Sequence, residues 1–132
     1  MKNIDKKTIL VVDDDQDLLQ QMKIQIEGFG FEVVTADGQK EAEKILETLK
    51  PDLALLDLMM ENKDSGFILS YRIKKRYPET PVIIATAVTS ETGMLFSVES
   101  DEDKNWIKAD LYLEKGLRSD QLHREINKLL KM

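Results

Sequence analysis

Short, unbroken apolar runs alternate along this chain with segments in which apolar residues recur at helical spacing. A run of this kind fits a strand whose two faces are both buried, as in a parallel sheet. Alternating strands and helices predict a three-layer α/β fold, with a five-stranded parallel sheet between helices on both faces. The runs occupy residues 8–12, 31–35, 53–56, 81–85 and, more weakly, 111–113. The helical stripes are Leu18, Met22 and Ile26; Ala42, Ile45, Leu46 and Leu49; Phe67, Ile68 and Tyr71; and Leu122, Ile126, Leu129 and Leu130.

Several residues mark where these elements begin and end. Asp15 is placed to cap the first helix, and Gly28 and Gly30 are placed to end it. Pro51 stops the second helix just before a strand. His123 on the last helix is expected to be exposed.

The length of the chain predicts one domain. Its 132 residues leave no room for a second domain, so residues 1–132 are expected to fold as a unit. A helix that runs to the end of the sequence favours a stand-alone protein over a domain excised from a longer protein. The segment 89–109 is longer than a crossover needs and rich in acids, and we expect a loop with one short helix near 101–108.

Composition excludes several classes of site and partner. The chain has no cysteine, which rules out disulfides, thiolate zinc sites and thiol catalysis and fits a reducing compartment. A formal net charge of −6 argues against direct contact with DNA, because no basic stripe is present to displace counterions. No apolar run approaches the roughly 20 residues that a membrane helix needs, and an early acid breaks any signal-peptide pattern. A cytoplasmic protein without membrane contact is expected.

Polar and charged residues collect where the predicted strands end. The first strand runs into Asp13, Asp14 and Asp15, and the third into Asp57. The fourth strand is followed by Thr86 and the fifth by Lys115. In open parallel sheets, ligands bind beyond the carboxyl ends of the strands. The sequence therefore predicts a functional site at this edge.

The chemistry of that edge favours a hard cation and a phosphoryl group. Two carboxylates about 4 Å apart repel by roughly 4 kcal/mol at an effective dielectric near 20, so a cation is expected beside them. Oxygen ligands without histidine or cysteine favour Mg²⁺ when a phosphate shares the site. Asp57 follows the most apolar strand and is a plausible nucleophile toward phosphorus. Thr86 and Lys115 are suited to binding phosphoryl oxygens.

The four motifs at residues 9–15, 51–60, 82–87 and 109–115 resemble, in order and spacing, the receiver domain of two-component response regulators. This resemblance covers nearly the whole chain. It implies a flavodoxin-like sheet with strand order 2-1-3-4-5 and a role in phosphorelay signal transduction. The chain would be no enzyme in the usual sense, because it would catalyse only its own phosphorylation and dephosphorylation.

The resemblance also assigns roles to single residues. Asp57 would accept a phosphoryl group from a histidine kinase or a histidine phosphotransfer protein. Asp14, Asp57 and the Met59 carbonyl would hold Mg²⁺, and Asp13 would help through the metal or a water. Thr86 and Lys115 would bind the phosphoryl oxygens. The switch would be Thr86 together with Tyr112, and a downstream protein target would recognise the face made by the fourth helix, fifth strand and fifth helix.

Departures from the family pattern leave alternatives open. Gly116 stands where the family usually has proline after the lysine, and a trans bond is expected there. The loop 61–66 lacks the usual proline, and the acidic segment 89–109 lies where receivers dock or form homodimers. A degenerate receiver that works as a phosphorylation-independent interaction module is therefore the main alternative. A haloacid-dehalogenase-type phosphatase is disfavoured, because it needs an aspartate at the position of Met59.

Overall fold

The computed structural model describes residues 6–58, 60, 65–86, 110–114 and 118–131. Within these ranges, strands and helices alternate along the chain as the apolar pattern predicts. The strands are β1 (Thr8–Val12), β2 (Glu32–Ala36), β3 (Leu53–Asp57), β4 (Val82–Thr86) and β5 (Leu111–Glu114). The helices are α1 (Gln16–Gly28), α2 (Gln39–Leu46), α3 (Ser65–Arg76) and α4 (Ser119–Leu130). The predicted helix near 101–108 lies outside the described residues.

All strand pairs are parallel, and the sheet order is β2-β1-β3-β4-β5. The apolar runs of β1 and β3 are buried on both faces, because these strands lie inside the sheet with helices on either side, whereas the edge strand β2 is only partly buried. The predicted α/β fold with a parallel sheet between helices is confirmed. Among the described residues, no helix combines the length and the apolar character that crossing a bilayer demands.

Two hydrophobic cores lie on opposite faces of the sheet. One packs α2 and α3 through Ala42, Leu46, Leu69 and Ile73. The other packs α1 and α4 through Leu19, Ile26, Leu122 and Ile126. Successive side chains of each strand alternate between the two cores, since the side chains of a strand point to its two faces in turn. Leu10 and Val12 accordingly join the first core, and Ile9 and Val11 the second.

The predicted boundaries of α1 are confirmed. The Asp15 side chain accepts a hydrogen bond from the Leu18 amide at 3.2 Å, which caps the helix. The helix ends at Gly28, and Gly30 adopts a φ of 103°, which favours glycine. α2 ends earlier than its apolar stripe predicts, at Leu46, because the next residues form a turn.

The stripe predicted for the third helix is confirmed only in part, because Phe67 packs against the first core whereas Tyr71 is exposed. α3 buries Leu69 and Ile73 together with small residues, whereas Tyr71 is 38% exposed. Ser65 and Gly66, which the sequence placed in a loop, form its first turn. His123 is also less exposed than expected, because its ring stacks on Phe29 at a centroid distance of 4.1 Å. The same ring lies perpendicular to the Phe31 ring, at a centroid distance of 6.3 Å.

Gly66 allows the first turn of α3 to touch the backbone at the end of β3. Its amide donates a hydrogen bond to the Leu58 carbonyl at 2.7 Å. A Cβ at this position would lie 2.5 Å from the Asp57 carbonyl oxygen and 2.7 Å from the Leu58 Cα. Both neighbours are backbone atoms, so neither can move aside without shifting the strand end. A side chain here would push α3 away from Asp57.

We expect Gly66→Ala to lower the free energy of unfolding by about 1 to 3 kcal/mol, because overpacking forces backbone shifts. Gly28→Ala is the matched control, since nothing lies within 4 Å of its added Cβ. Alanine there should raise stability by about 0.5 to 1 kcal/mol through helix propensity. Urea denaturation of both variants measures the difference. Equal stability changes would contradict the close approach of α3.

Candidate functional site

The pairing of β1 with β3 brings the predicted acids together. Val12 is the register partner of Leu56, so the residues that follow each of them, Asp13 and Asp57, lie side by side at the carboxyl edge of the sheet. Asp57 is the last residue of β3 and pairs in register with Ala85 on its other side. The Asp13 amide donates to the Ala36 carbonyl at 3.2 Å, which continues the pairing with β2.

Carboxylate oxygens of Asp13, Asp14 and Asp57 all lie within 4.8 Å of one another. Asp13 is 2% exposed and Asp57 is 7% exposed, whereas Asp14 faces solvent. At that separation, the two buried carboxylates repel by about 3 to 4 kcal/mol at an effective dielectric near 20. A cation beside both would offset this repulsion. The predicted convergence of these three acids is therefore present in the structure.

The donor set fits a hard divalent ion. Three carboxylate oxygens at one sheet edge, without histidine or cysteine, favour Mg²⁺ or Ca²⁺ over transition metals. One exposed carboxylate leaves the cluster open to water and to a ligand, which suits Mg²⁺, since this ion usually keeps several waters. Asp13, Asp14 and Asp57 are the described residues able to hold it.

Asp15 fixes the orientation of Asp13, a role that the sequence reading missed. Its amide donates to Oδ1 of Asp13 at 2.9 Å, while its own carboxylate caps α1. The capped first turn of α1 thus holds the amide that positions a buried carboxylate. An N-cap acid two residues after a buried acid is the sequence signal that could have suggested it.

The other predicted site residues are described only in part. Thr86 ends β4, and its backbone pairs in register with Glu114. Tyr112 lies in β5 opposite Ile84. The side chains of Thr86 and Tyr112 lie outside the described part of the structure, as do Met59 and Lys115. Their assigned roles stay predictions, as does the trans bond expected before Gly116.

Comparison with known families agrees with this geometry. Residues 9–127 match the model of the response regulator receiver domain. The chain belongs to this family. The resemblance drawn from its four motifs is thereby confirmed, and two-component receiver domains are phosphorylated on an aspartate.

Named relatives of this receiver domain are larger transcriptional regulators. The alkaline phosphatase synthesis transcriptional regulatory protein PhoP of Bacillus subtilis is 29% identical over 95% of this chain and 49% of its own length. The probable transcriptional regulator ycf27 of Cyanophora paradoxa is 31% identical over 97% of this chain and 50% of its own length. The receiver domain thus spans about half the length of these relatives.

Solved receiver structures share the fold. A CheY-like receiver domain protein from Methanospirillum hungatei is 27% identical, with a TM-score of 0.80 over 96% of this chain and 94% of that one. The response regulator TrrA from Thermotoga maritima, solved in complex with Mg(2+)-BeF, is 28% identical. Its TM-score is 0.75 over 93% of this chain and 98% of that chain.

Asp14→Asn should remove most of the stabilisation that Mg²⁺ gives this receiver domain. In the wild type, Mg²⁺ at ten times its dissociation constant should add about 1.4 kcal/mol to the free energy of unfolding. Without Mg²⁺, the variant should be as stable as the wild type or more so, because one negative charge has left the cluster. Thermal denaturation with and without Mg²⁺ measures both effects. Mg²⁺ stabilisation that persists undiminished in Asp14→Asn would show that the ion binds elsewhere.

Substitutions of Asp15 separate helix capping from charge. Asp15→Asn removes a charge from the same triplet but retains a good N-cap, so it should still bind Mg²⁺. Asp15→Ala should cost about 1 kcal/mol of stability and weaken Mg²⁺ binding severalfold, because the amide that holds Asp13 loses its support. Calorimetric titration with Mg²⁺ compares the two variants. Equal Mg²⁺ affinity in both would argue against this positioning role.

Proposed function

We propose that Asp57 accepts a phosphoryl group from the phosphohistidine of a histidine kinase or a histidine phosphotransfer protein. The observation that carries this proposal is the convergence of the Asp57 carboxylate with those of Asp13 and Asp14 at one edge of the sheet. Membership of the receiver family supports the same reaction class. The alternative, a phosphorylation-independent interaction module, has no need of three crowded acids that repel one another.

In the proposed reaction, a carboxylate oxygen of Asp57 attacks phosphorus and forms a new phosphorus–oxygen bond. The phosphorus–nitrogen bond of the donor breaks, its electron pair stays on the imidazole, and a proton restores the neutral histidine. The product is an acyl phosphate on Asp57. Burial of Asp57 and its fixed place at the end of β3 support a nucleophile held in a defined position.

Mg²⁺ would be held by the carboxylates of Asp13, Asp14 and Asp57 and by the Met59 carbonyl. When bound, it supplies positive charge against the anionic phosphoryl oxygens. Thr86 would donate a hydrogen bond to one of these oxygens, and Lys115 would pair with another. Asp15 keeps Asp13 in place through its amide.

Signal output would follow from a shift between two packings of Thr86 and Tyr112. A downstream protein target would then contact the face made by β5, α4 and the helix that is predicted between β4 and β5. The names of the relatives assign transcriptional regulation to proteins about twice as long as this chain. The proposal for this chain therefore stops at receiving the phosphoryl group and passing the signal to a protein.

Incubation with acetyl phosphate and Mg²⁺ should add one phosphoryl group to the intact protein, measured by mass spectrometry. Asp57→Asn should add none, because the amide is not a nucleophile toward phosphorus, and EDTA should prevent the addition to wild type. Asp17→Asn, an exposed acid in the first turn of α1, is the matched control and should be phosphorylated like wild type.

Two outcomes would overturn the proposal. A folded wild-type protein that gains no mass from acetyl phosphate or from a phosphorylated histidine kinase would favour the phosphorylation-independent module. A mass gain that persists in Asp57→Asn would place the acceptor on another residue.

A further inference from the structure

A groove of about 520 Å³ lies between α2 and α3, away from the carboxylate cluster. The buried side chains of Leu46 and Ile73 belong to its lining and give it an apolar base. Tyr71 and Tyr77 line it as well, and Tyr71 is one of the two large hydrophobic side chains exposed among the described residues. A concave surface with an apolar base and a few polar groups is the usual form of a binding site.

Hydrogen bonds hold one side of the groove in place. The Tyr77 hydroxyl donates to the Leu46 carbonyl at 2.7 Å. The Arg76 guanidinium donates to the Glu47 carbonyl at 3.1 Å and to the Tyr77 hydroxyl at 3.2 Å. These bonds tie the end of α3 to the end of α2 before any ligand arrives. A preorganised surface loses less conformational entropy on binding.

The lining of this groove has more cationic than anionic side chains. Arg72 pairs with Glu43 at 3.3 Å. Arg76 donates only to neutral oxygens, and the Lys75 ammonium lies 6.0 Å from the Tyr71 ring centroid. Within the described part of the chain, neither Lys75 nor Arg76 has a carboxylate within ion-pair distance. The lining therefore carries three cations against Glu43 and Glu47, in a protein whose net charge is −6.

We propose that this groove docks an acidic peptide segment of a partner protein. An apolar side chain of the segment lies between Tyr71 and Tyr77, and its carboxylates pair with Lys75 and Arg76. Tyrosine and arginine are enriched among the residues that dominate protein interfaces. A nucleic acid is the poorer match, because a chain of net charge −6 repels a phosphate backbone. The inference does not depend on phosphoryl transfer at Asp57.

Fluorescence polarisation with a labelled peptide of sequence Asp-Glu-Leu-Phe-Glu-Asp tests the proposal on the wild-type chain. Binding should saturate, weaken as salt is raised, and disappear when the four acids are replaced by their amides. Lys75→Gln and Tyr71→Ala should each weaken binding by about fivefold or more, the loss typical of a residue at the centre of an interface.

Matched controls lie on the opposite face of the sheet. Lys128→Gln removes an exposed lysine from α4, and Ile24→Ala removes a side chain of α1 that is 68% exposed. Both should bind the peptide as wild type does. Tyr71 and Lys75 are surface residues, so their substitution should leave the fold intact. Circular dichroism checks that every variant is folded.

Four results of the binding assay would overturn the proposal: no saturable binding, equal binding of the amide peptide, equal loss in the control variants, or tighter binding of a thymidine oligonucleotide than of the peptide. Sedimentation of the chain alone tests for a second copy in the groove. A dimer that Lys75→Gln and Tyr71→Ala dissociate would identify a second copy as the occupant and likewise overturn it.

Discussion

Parallel pairing of β1 with β3 is the constraint on which the site depends. The register Val12 to Leu56 sets the carboxylates that follow each strand side by side. The core side chains of the two strands fix that register. A slip of one residue would move each of them from its own core to the core on the opposite face of the sheet. The hydrophobic energy of the sheet interior therefore holds buried negative charges together that repel one another in isolation. A divalent cation is a ligand whose charge makes this arrangement favourable.

The elements around the cluster limit how far it can relax. Asp15 couples the first turn of α1 to Asp13 through its amide. On the other side, Gly66 brings α3 against the carbonyl of Asp57. The end of β3 thus lies between a neighbouring strand and a helix in contact with its backbone. A carboxylate supported in this way keeps its position as charge at the site changes, which is what the proposed role of Asp57 as a nucleophile requires.

The sequence predicts the structure correctly where the local pattern of apolar and acidic residues is sufficient to determine it. The apolar run 8–12 matches β1, and the acids at its end meet Asp57 because parallel strands share an edge. The prediction fails where packing between elements decides. At Gly66, α3 approaches the end of β3 too closely for a side chain, and Tyr71 lies on an exposed part of the same helix. Stacking of His123 on Phe29 joins residues far apart in the chain, which no local pattern reveals.

α3 connects the carboxylate cluster with the groove proposed to bind a peptide. Its first turn contacts the backbone at Asp57, and its last turns line the groove through Tyr71 and Arg76. Because a packed helix moves more readily as a rigid body than by bending, a shift at one end is transmitted to the other. Linkage requires that any such coupling be reciprocal, so a peptide that prefers one position of α3 would change the affinity of the carboxylate cluster for its ligands by the same factor.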